Sequence, residues 1–173
     1  MPKIIENVRE QLLCEAKRQI EQNGYAKTTI RSVASACGLG VGTVYNYFKS
    51  KDMLIASFMA EDWQTCLAEM KNQSGREAKD ALESIYGTLC AFTEKHKALF
   101  SDKSAARSFM SAFETRHKQL RGQIAEAILP LCQSSSAEDK VFLSEFIAES
   151  LLNWSASGKD FLELYKIIGL LLK

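Results

Sequence analysis

The sequence predicts an all-α fold, and three observations carry that reading. Its 173 residues hold only two prolines, Pro2 and Pro130, leaving long stretches free of a residue that destabilises a helix interior by about 3 kcal/mol. Apolar residues recur at three- and four-residue steps through most of the chain, the spacing that lines one face of a helix. The breaks in that pattern fall on helix-stopping or turn-forming clusters, among them Gly38-Leu39-Gly40, Asn72-Gln73-Ser74-Gly75 and Ser134-Ser135-Ser136.

Taken in order, Ile5, Val8, Leu12, Ala16 and Ile20 form the stripe of a first helix that Gly24 is expected to end. Thr28 or Thr29 caps a second, with Ile30, Val33, Ala34 and Cys37 at positions i, i+3, i+4 and i+7, and Gly38 stops it. A short third helix opens at Gly40 or Val41 and turns Val44, Tyr45 and Phe48 inward. Ser50 is a good N-cap for a long fourth helix reaching about Met70. Beyond the linker at 72–75, Ala78, Leu82, Ile85, Leu89 and Phe92 mark a fifth helix to about Glu94, followed by a bend at 96–101. Two more helices are expected near 104–113 and 115–131, and two final ones near 138–155 and 160–172.

Composition bounds the class of protein. With 46% hydrophobic and 25% charged residues the chain suits one full core plus a small accessory domain. Five cysteines, Cys14, Cys37, Cys66, Cys90 and Cys132, are odd in number, scattered and free of any C-x-x-C, so a reducing, cytoplasmic setting is expected. The start of the chain lacks the apolar run of a signal peptide, and the most apolar stretch, 167–172, is far too short to span a bilayer. The net charge of +1 conceals an asymmetry: residues 1–52 hold eight Lys/Arg against five Asp/Glu, whereas 53–173 hold fourteen against sixteen. That N-terminal excess is compatible with phosphate binding, which requires cations gathered on one face rather than a total.

Two short helices joined by Gly38-Leu39-Gly40 have the proportions of a helix-turn-helix, whose first helix crosses the DNA backbone and whose second enters the major groove. The second reads Val41-Gly42-Thr43-Val44-Tyr45-Asn46-Tyr47-Phe48-Lys49, small where bases approach, aromatic and basic where phosphates run. Periodicity alone equally allows a buried short helix with Tyr45, Tyr47 and Phe48 as core aromatics. The residues decide between these: the stretch from Thr29 to Leu54, TIRSVASACGLGVGTVYNYFKSKDML, closely resembles the N-terminal signature of the TetR family of bacterial regulators.

That resemblance spans the first helix through the start of the fourth, about a third of the chain; the remainder resembles the family only in its helical layout. It implies a DNA-binding domain at 1–51 and a helical dimerisation and effector-binding domain at 52–173. Thr29 and Arg31 then begin the backbone-crossing helix, Gly40, Val41, Gly42 and Thr43 lead the recognition helix, Tyr45, Asn46 and Tyr47 face DNA, and Lys51 starts the fourth helix. Ala34, Val44 and Phe48 are implied to be core. Gly40 departs from the serine or threonine that often caps the recognition helix, and Val41 from a frequent polar or basic residue. Glycine still caps, and Val41 is restricted to apolar contact such as with a thymine methyl.

The family's last two helices generally form a four-helix dimer interface. The wide apolar faces here support homodimerisation independently, with Phe142, Phe146, Trp154, Phe161, Leu164 and Ile168 as the interface residues. Phe58, Trp63, Cys66, Tyr86, Cys90, Phe109, Met110 and Phe113, on the fourth to seventh helices, suit either plain core or the lining of a pocket for a flat apolar effector. His96 and His117 lack carboxylate or cysteine neighbours at ligand spacing and are read as surface or capping side chains. Arg107, Arg116, Lys118 and Arg121, interleaved with acidic residues, read as a solvated face.

No nucleophile-base pair, carboxylate dyad, phosphate loop or metal cluster occurs at a usable spacing, so neither catalysis nor a cofactor or metal is expected. The expected function is a cytoplasmic, homodimeric transcriptional regulator, a repressor that a small hydrophobic effector releases from a palindromic DNA operator. The alternatives are an architectural or activating DNA-binding protein without an effector, and a small helical ligand-binding protein.

Overall fold

The computed structural model describes residues 7–73, 75–109 and 113–173. Among the described residues the chain is helical and forms no strand: α1 (Val8–Lys27), α2 (Ile30–Ala36), α3 (Val41–Tyr47), α4 (Lys51–Lys71), α5 (Ala78–Lys95), α6 (Lys97–Phe100), α7 (Lys103–Phe109), α8 (Phe113–Ile128), a 3-10 turn at Leu129–Cys132, α9 (Lys140–Ser157) and α10 (Phe161–Leu171). Packing gathers these into two compact units. One holds the described residues up to Asp62 with those from His96 to Phe109; the other holds Trp63–Lys95 with those from Phe113 onward. The division falls inside α4, so the first unit is larger than the 1–51 segment that bears the helix-turn-helix resemblance.

In the first unit α1 buries Val8, Leu12, Leu13, Ala16 and Ile20, four of them at three- or four-residue steps. The helix breaks at Gly24 (φ 77°, ψ 170°), a backbone conformation that side chains disfavour, and then winds one further turn to Lys27. Thr29 caps α2 reciprocally: its Oγ1 accepts from the Ser32 amide at 2.9 Å, and Ser32 Oγ accepts from the Thr29 amide at 3.0 Å. Gly38 turns the chain at φ 66°, and the Leu39 amide closes that turn on the Ala34 carbonyl at 2.9 Å. Ile30, Val33, Ala34, Val44 and Phe48 pack with α1 around one core, completed by Leu54, Ile55 and Phe58 of α4, Leu99 of α6 and Ala105 of α7.

The expected bend at 96–101 is one helical turn, α6, and His96 ahead of it is not a surface group. It is buried, with Nε2 3.1 Å from Asp62 Oδ2 and its ring stacked 6.0 Å from that of Phe58. Asp62 also receives Lys17 Nζ at 3.0 Å, so a polar cluster, buried at His96 and half-buried at Asp62 and Lys17, ties α1, α4 and the start of α6. Its members lie far apart in sequence, which hides it from any reading of local spacing.

The second unit packs Trp63, Leu67 and Met70 of α4 against α5 (Leu82, Ile85, Tyr86, Leu89), α8 (Ile124, Ile128), α9 (Leu143, Ile147, Leu151) and α10 (Phe161, Leu164, Ile168). The last two helices start where aspartates cap them: Asp139 Oδ1 accepts from the Phe142 amide at 2.9 Å, and Asp160 Oδ1 from the Leu162 amide at 2.9 Å. The first of these caps moves the start of α9 two residues beyond its expected position at 138.

Candidate nucleic-acid interface

α3 has two contrasting sides. Val44 and, just past the helix, Phe48 are fully seated in the first unit's core, as the resemblance implied for them and for Ala34. The opposite side carries Gly42, Asn46 and two aromatics, Tyr45 and Tyr47, nearly half exposed at 46% and 47%, so Tyr45 is turned outward rather than inward as the periodicity of the helix suggested. A short helix anchored by two apolar side chains thus presents polar aromatics outward, where burial does not hold them. Thr43 is half-buried on the first turn, its amide bonded to the Gly40 carbonyl at 2.9 Å. Val41 is half-buried as well and packs against the core, which limits its reach outward.

The flanking positions are arranged by the caps. Thr29 and Arg31 are exposed at the start of α2, although the Thr29 hydroxyl is already engaged in its capping box. At the start of α4, Ser50 Oγ accepts from the Met53 amide at 3.1 Å, and Lys51 is half-buried rather than splayed into solvent. Its ammonium lies 3.6 Å from the centroid of the Tyr25 ring and donates to the Tyr25 carbonyl at 2.9 Å. Burial pulls the Lys51 ammonium below the usual lysine range, against the opposing influence of Asp52 and Asp102. The Tyr25 hydroxyl in turn donates to Asp52 Oδ1 at 2.5 Å and meets Ser108 Oγ at 2.9 Å.

Residues 12–58, which contain all of these elements but the first turn of α1 and the α7 contact, match the family model described as bacterial regulatory proteins, tetR family. Over these residues the chain is similar to the TetR family. Similarity extends along most of its length: it is 22% identical over 147 residues to the transcriptional repressor KstR of Rhodococcus jostii, covering 84% of this chain and 69% of that one. With the repressor Rv1474c of Mycobacterium tuberculosis it shares 23% identity over 176 residues, 92% and 90% of the two chains. The fold matches that of Thermus thermophilus FadR, a TetR-family repressor solved in complex with lauroyl-CoA, at a TM-score of 0.61 and 22% identity over 95% of this chain and 92% of that one. The protein is a helix-turn-helix transcriptional regulator.

Among the residues expected at a dimer interface, the structure separates two groups. Phe142, Phe146 and Trp154 of α9 are exposed, at 65%, 47% and 41%. Phe161, Leu164 and Ile168 of α10 are instead buried in the core of their own chain, and the outward face of α10 is Leu162, Ile167, Leu170 and Leu171. The correction is one of assignment: the stripe of Phe161, Leu164 and Ile168, opposite Glu163 and Lys166, is taken up by the chain's own core, which leaves only the flanking apolar residues of α10 outward.

The residues proposed for an effector pocket are similarly divided. Phe58 belongs to the first unit's core. Trp63 and Tyr86 are buried in the second, with Cys66 and Cys90 half-buried against it. Met110 and the side chains of Phe109 and Phe113 lie outside the described residues. Trp63 Nε1 donates to Gln123 Oε1 at 2.8 Å. The Tyr86 hydroxyl donates to the Lys159 carbonyl at 2.5 Å, and burial pushes its pKa up to about 12.

His117 has a carboxylate neighbour that only the fold supplies: its Nε2 lies 2.9 Å from each oxygen of Glu149, to which Arg121 also reaches at 3.6 Å. Among the described residues no three His, Cys, Asp or Glu side chains are arranged to hold a metal ion, and no helix is long and apolar enough to cross a membrane.

Proposed function

We propose that the protein is a cytoplasmic repressor that binds a palindromic operator as a homodimer and leaves it when a small hydrophobic effector binds. The observation that carries the DNA-binding assignment is the outward face of α3, where Tyr45, Asn46 and Tyr47 stand exposed on a helix pinned from behind by Val44 and Phe48. In this reading Gly40, Val41, Gly42 and Thr43 approach base edges while Thr29, Arg31, Tyr45, Tyr47 and Lys51 hold the phosphate backbone. Residues 1–51 read DNA, and 52–173 dimerise and sense the effector.

Dimerisation is supported by the apolar side chains that α9 and α10 leave in water: Val141, Phe142, Phe146, Trp154, Leu162, Ile167 and Leu170 on consecutive helices are far more than scattered single exposures. Two copies related by a two-fold axis set recognition helices about 34–36 Å apart, one turn of duplex, which requires a palindromic site. The naming of the KstR and Rv1474c relatives as repressors supports the sign of regulation. The lauroyl-CoA bound by the Thermus regulator supports a hydrophobic effector. Such a ligand acts by preferring the state in which the recognition helices are wrongly spaced.

Genomic fragments retained by the purified protein, once sequenced, should share a palindrome near a promoter, and acyl-CoA thioesters or other apolar ligands should release them. On operator and scrambled duplexes, Lys51→Ala should weaken binding to both alike, whereas Thr43→Ala should cost about 1–3 kcal/mol on the operator alone. Retention of no common sequence, or indifference of DNA binding to every substitution between Gly40 and Lys51, overturns the reading.

A further inference from the structure

Lys51 is held in an unusual way for a cation at a surface helix start. Asp52 and Asp102 are both near enough to raise its pKa, yet among the described residues it forms no ion pair with either, and its one hydrogen-bond acceptor is a neutral carbonyl. Each carboxylate is tied down by another donor. Asp102 Oδ1 accepts from the amides of Ser104 and Ala105, at 2.7 and 3.1 Å, at the start of α7. Asp52 Oδ1 accepts from the Tyr25 hydroxyl at 2.5 Å. Since that hydroxyl's hydrogen goes to Asp52, Ser108 Oγ, 2.9 Å away, donates to the phenol oxygen and fixes its orientation.

We infer that Tyr25 is a positioning residue for the phosphate contact of Lys51: its hydroxyl holds the Asp52 carboxylate off the adjacent ammonium, so that the positive charge is still unpaired when DNA arrives. The inference rests on the reading of Lys51 as a phosphate contact. Neighbours on a helix do not face one another, but both side chains pivot, and a carboxylate released from Tyr25 has the Lys51 ammonium within electrostatic reach. A lysine already paired within the protein neutralises no phosphate and releases no counterion. The Tyr25 ring and carbonyl, which cradle the ammonium itself, are independent of the hydroxyl, and burial raises the phenol's pKa above the ordinary tyrosine value. Ser108 gives α7 a part in the same arrangement.

The test is the salt dependence of binding to a random-sequence duplex long enough to offer two successive major grooves on one face. Lys51→Ala should make the slope of log affinity against log salt shallower by about one unit, a loss of affinity between 50 and 200 mM salt that is about three- to fourfold smaller than in the wild type. Tyr25→Phe should do the same with every cation in place, and Asp52→Asn added to it should restore the wild-type slope. Asp52→Asn alone, an isosteric change at a half-buried position that tests the idea even if Tyr25→Phe misfolds, should leave the slope unaltered. Should Tyr25→Phe keep the wild-type slope while Lys51→Ala lowers it, the positioning role is refuted and the phosphate contact stands. An unaltered slope for Lys51→Ala removes the contact and the positioning role together. Failure of Asp52→Asn to rescue Tyr25→Phe, or a steeper slope for Asp52→Asn alone, also overturns the inference, the latter because Lys51 would already be paired in the wild type.

Discussion

Ile167 and Ile168 are neighbours of the same chemistry, and α10 turns them to different fates: the first is 64% exposed and the second 3%. Truncating each to alanine should therefore break different things. Ile168→Ala leaves a void in the second unit's core, where α10 meets α5 and α9, and should lower the stability of the chain by about 2–5 kcal/mol. Ile167→Ala removes little from the protomer. If α10 lies in the dimer interface, burying an isoleucine is worth about 1.5–3 kcal/mol, of which nearly two-thirds is still available here, or about 1–2 kcal/mol per protomer. A two-fold axis applies the change twice, about 2–4 kcal/mol per dimer, which weakens the dimer constant by roughly 30- to 1,000-fold.

Sedimentation velocity over a range of concentrations reads the dimer constant directly, and urea unfolding at several concentrations separates the two effects. Dimer-linked stability depends on concentration, whereas a cavity does not. Ile167→Ala should shift the unfolding midpoint most at concentrations where the wild type is dimeric and little where both are monomeric, and Ile168→Ala by the same amount throughout. A stable wild-type monomer at micromolar concentration, or an Ile167→Ala dimer indistinguishable from wild type, would refute the assignment of this face.

Three further outcomes are expected. Gly40 caps α3 with ordinary extended angles (φ −69°, ψ 143°), and a Cβ there would meet only Thr43 Oγ1 at 3.9 Å. Gly40→Ser should therefore gain a cap and restrict the unfolded chain, raising the calorimetric Tm by about 1–4 °C; a lower Tm would contradict this account. Thr29→Ala removes half of the α2 capping box and should cost about 1 kcal/mol in urea unfolding, with Thr29→Ser largely retaining the stability. The third concerns alkali. The Tyr86 pKa rises from 10.0 to about 12 on folding, so its contribution is complete below pH 10 and is lost as the pH climbs through 12. Wild-type stability should fall over that interval by about 2–3 kcal/mol more than that of Tyr86→Phe, and equal slopes would show that the hydroxyl is not buried.

The helices were legible wherever one face is apolar and a cap is chemically distinct. Val8, Leu12, Ala16 and Ile20 lie on the buried side of α1, and Thr29 and Ser50 each accept the amide that a cap should accept. Legibility failed where the pattern carries no contrast. In α10, residues 161, 162, 164, 167, 168, 170 and 171 are all large and apolar, more than one stripe, so the sequence does not separate the residues spent in the chain's own core from those left outward. His96 failed for the opposite reason: its burial depends on Asp62, Lys17 and Phe58, none of which stands at helical spacing from it.

The candidate DNA-binding face divides along the same line. Tyr45, Tyr47 and Lys51 could be picked out because the recognition helix and the start of α4 are contiguous in sequence and their residue types suit phosphate and base edges. What equips Lys51 for that role could not, since Tyr25 approaches from the end of α1 and Ser108 from 83 residues further along the chain than Tyr25. A lysine's type makes it able to bind phosphate; whether its charge is available is settled by the carboxylates around it and by what those carboxylates are already holding. In this chain both nearby carboxylates accept from other donors, so availability is a property of three segments brought together by the fold. Substitutions at Tyr25 or Ser108 should consequently alter DNA binding although neither residue belongs to the helix-turn-helix, and a scan confined to residues 29–51 would miss both.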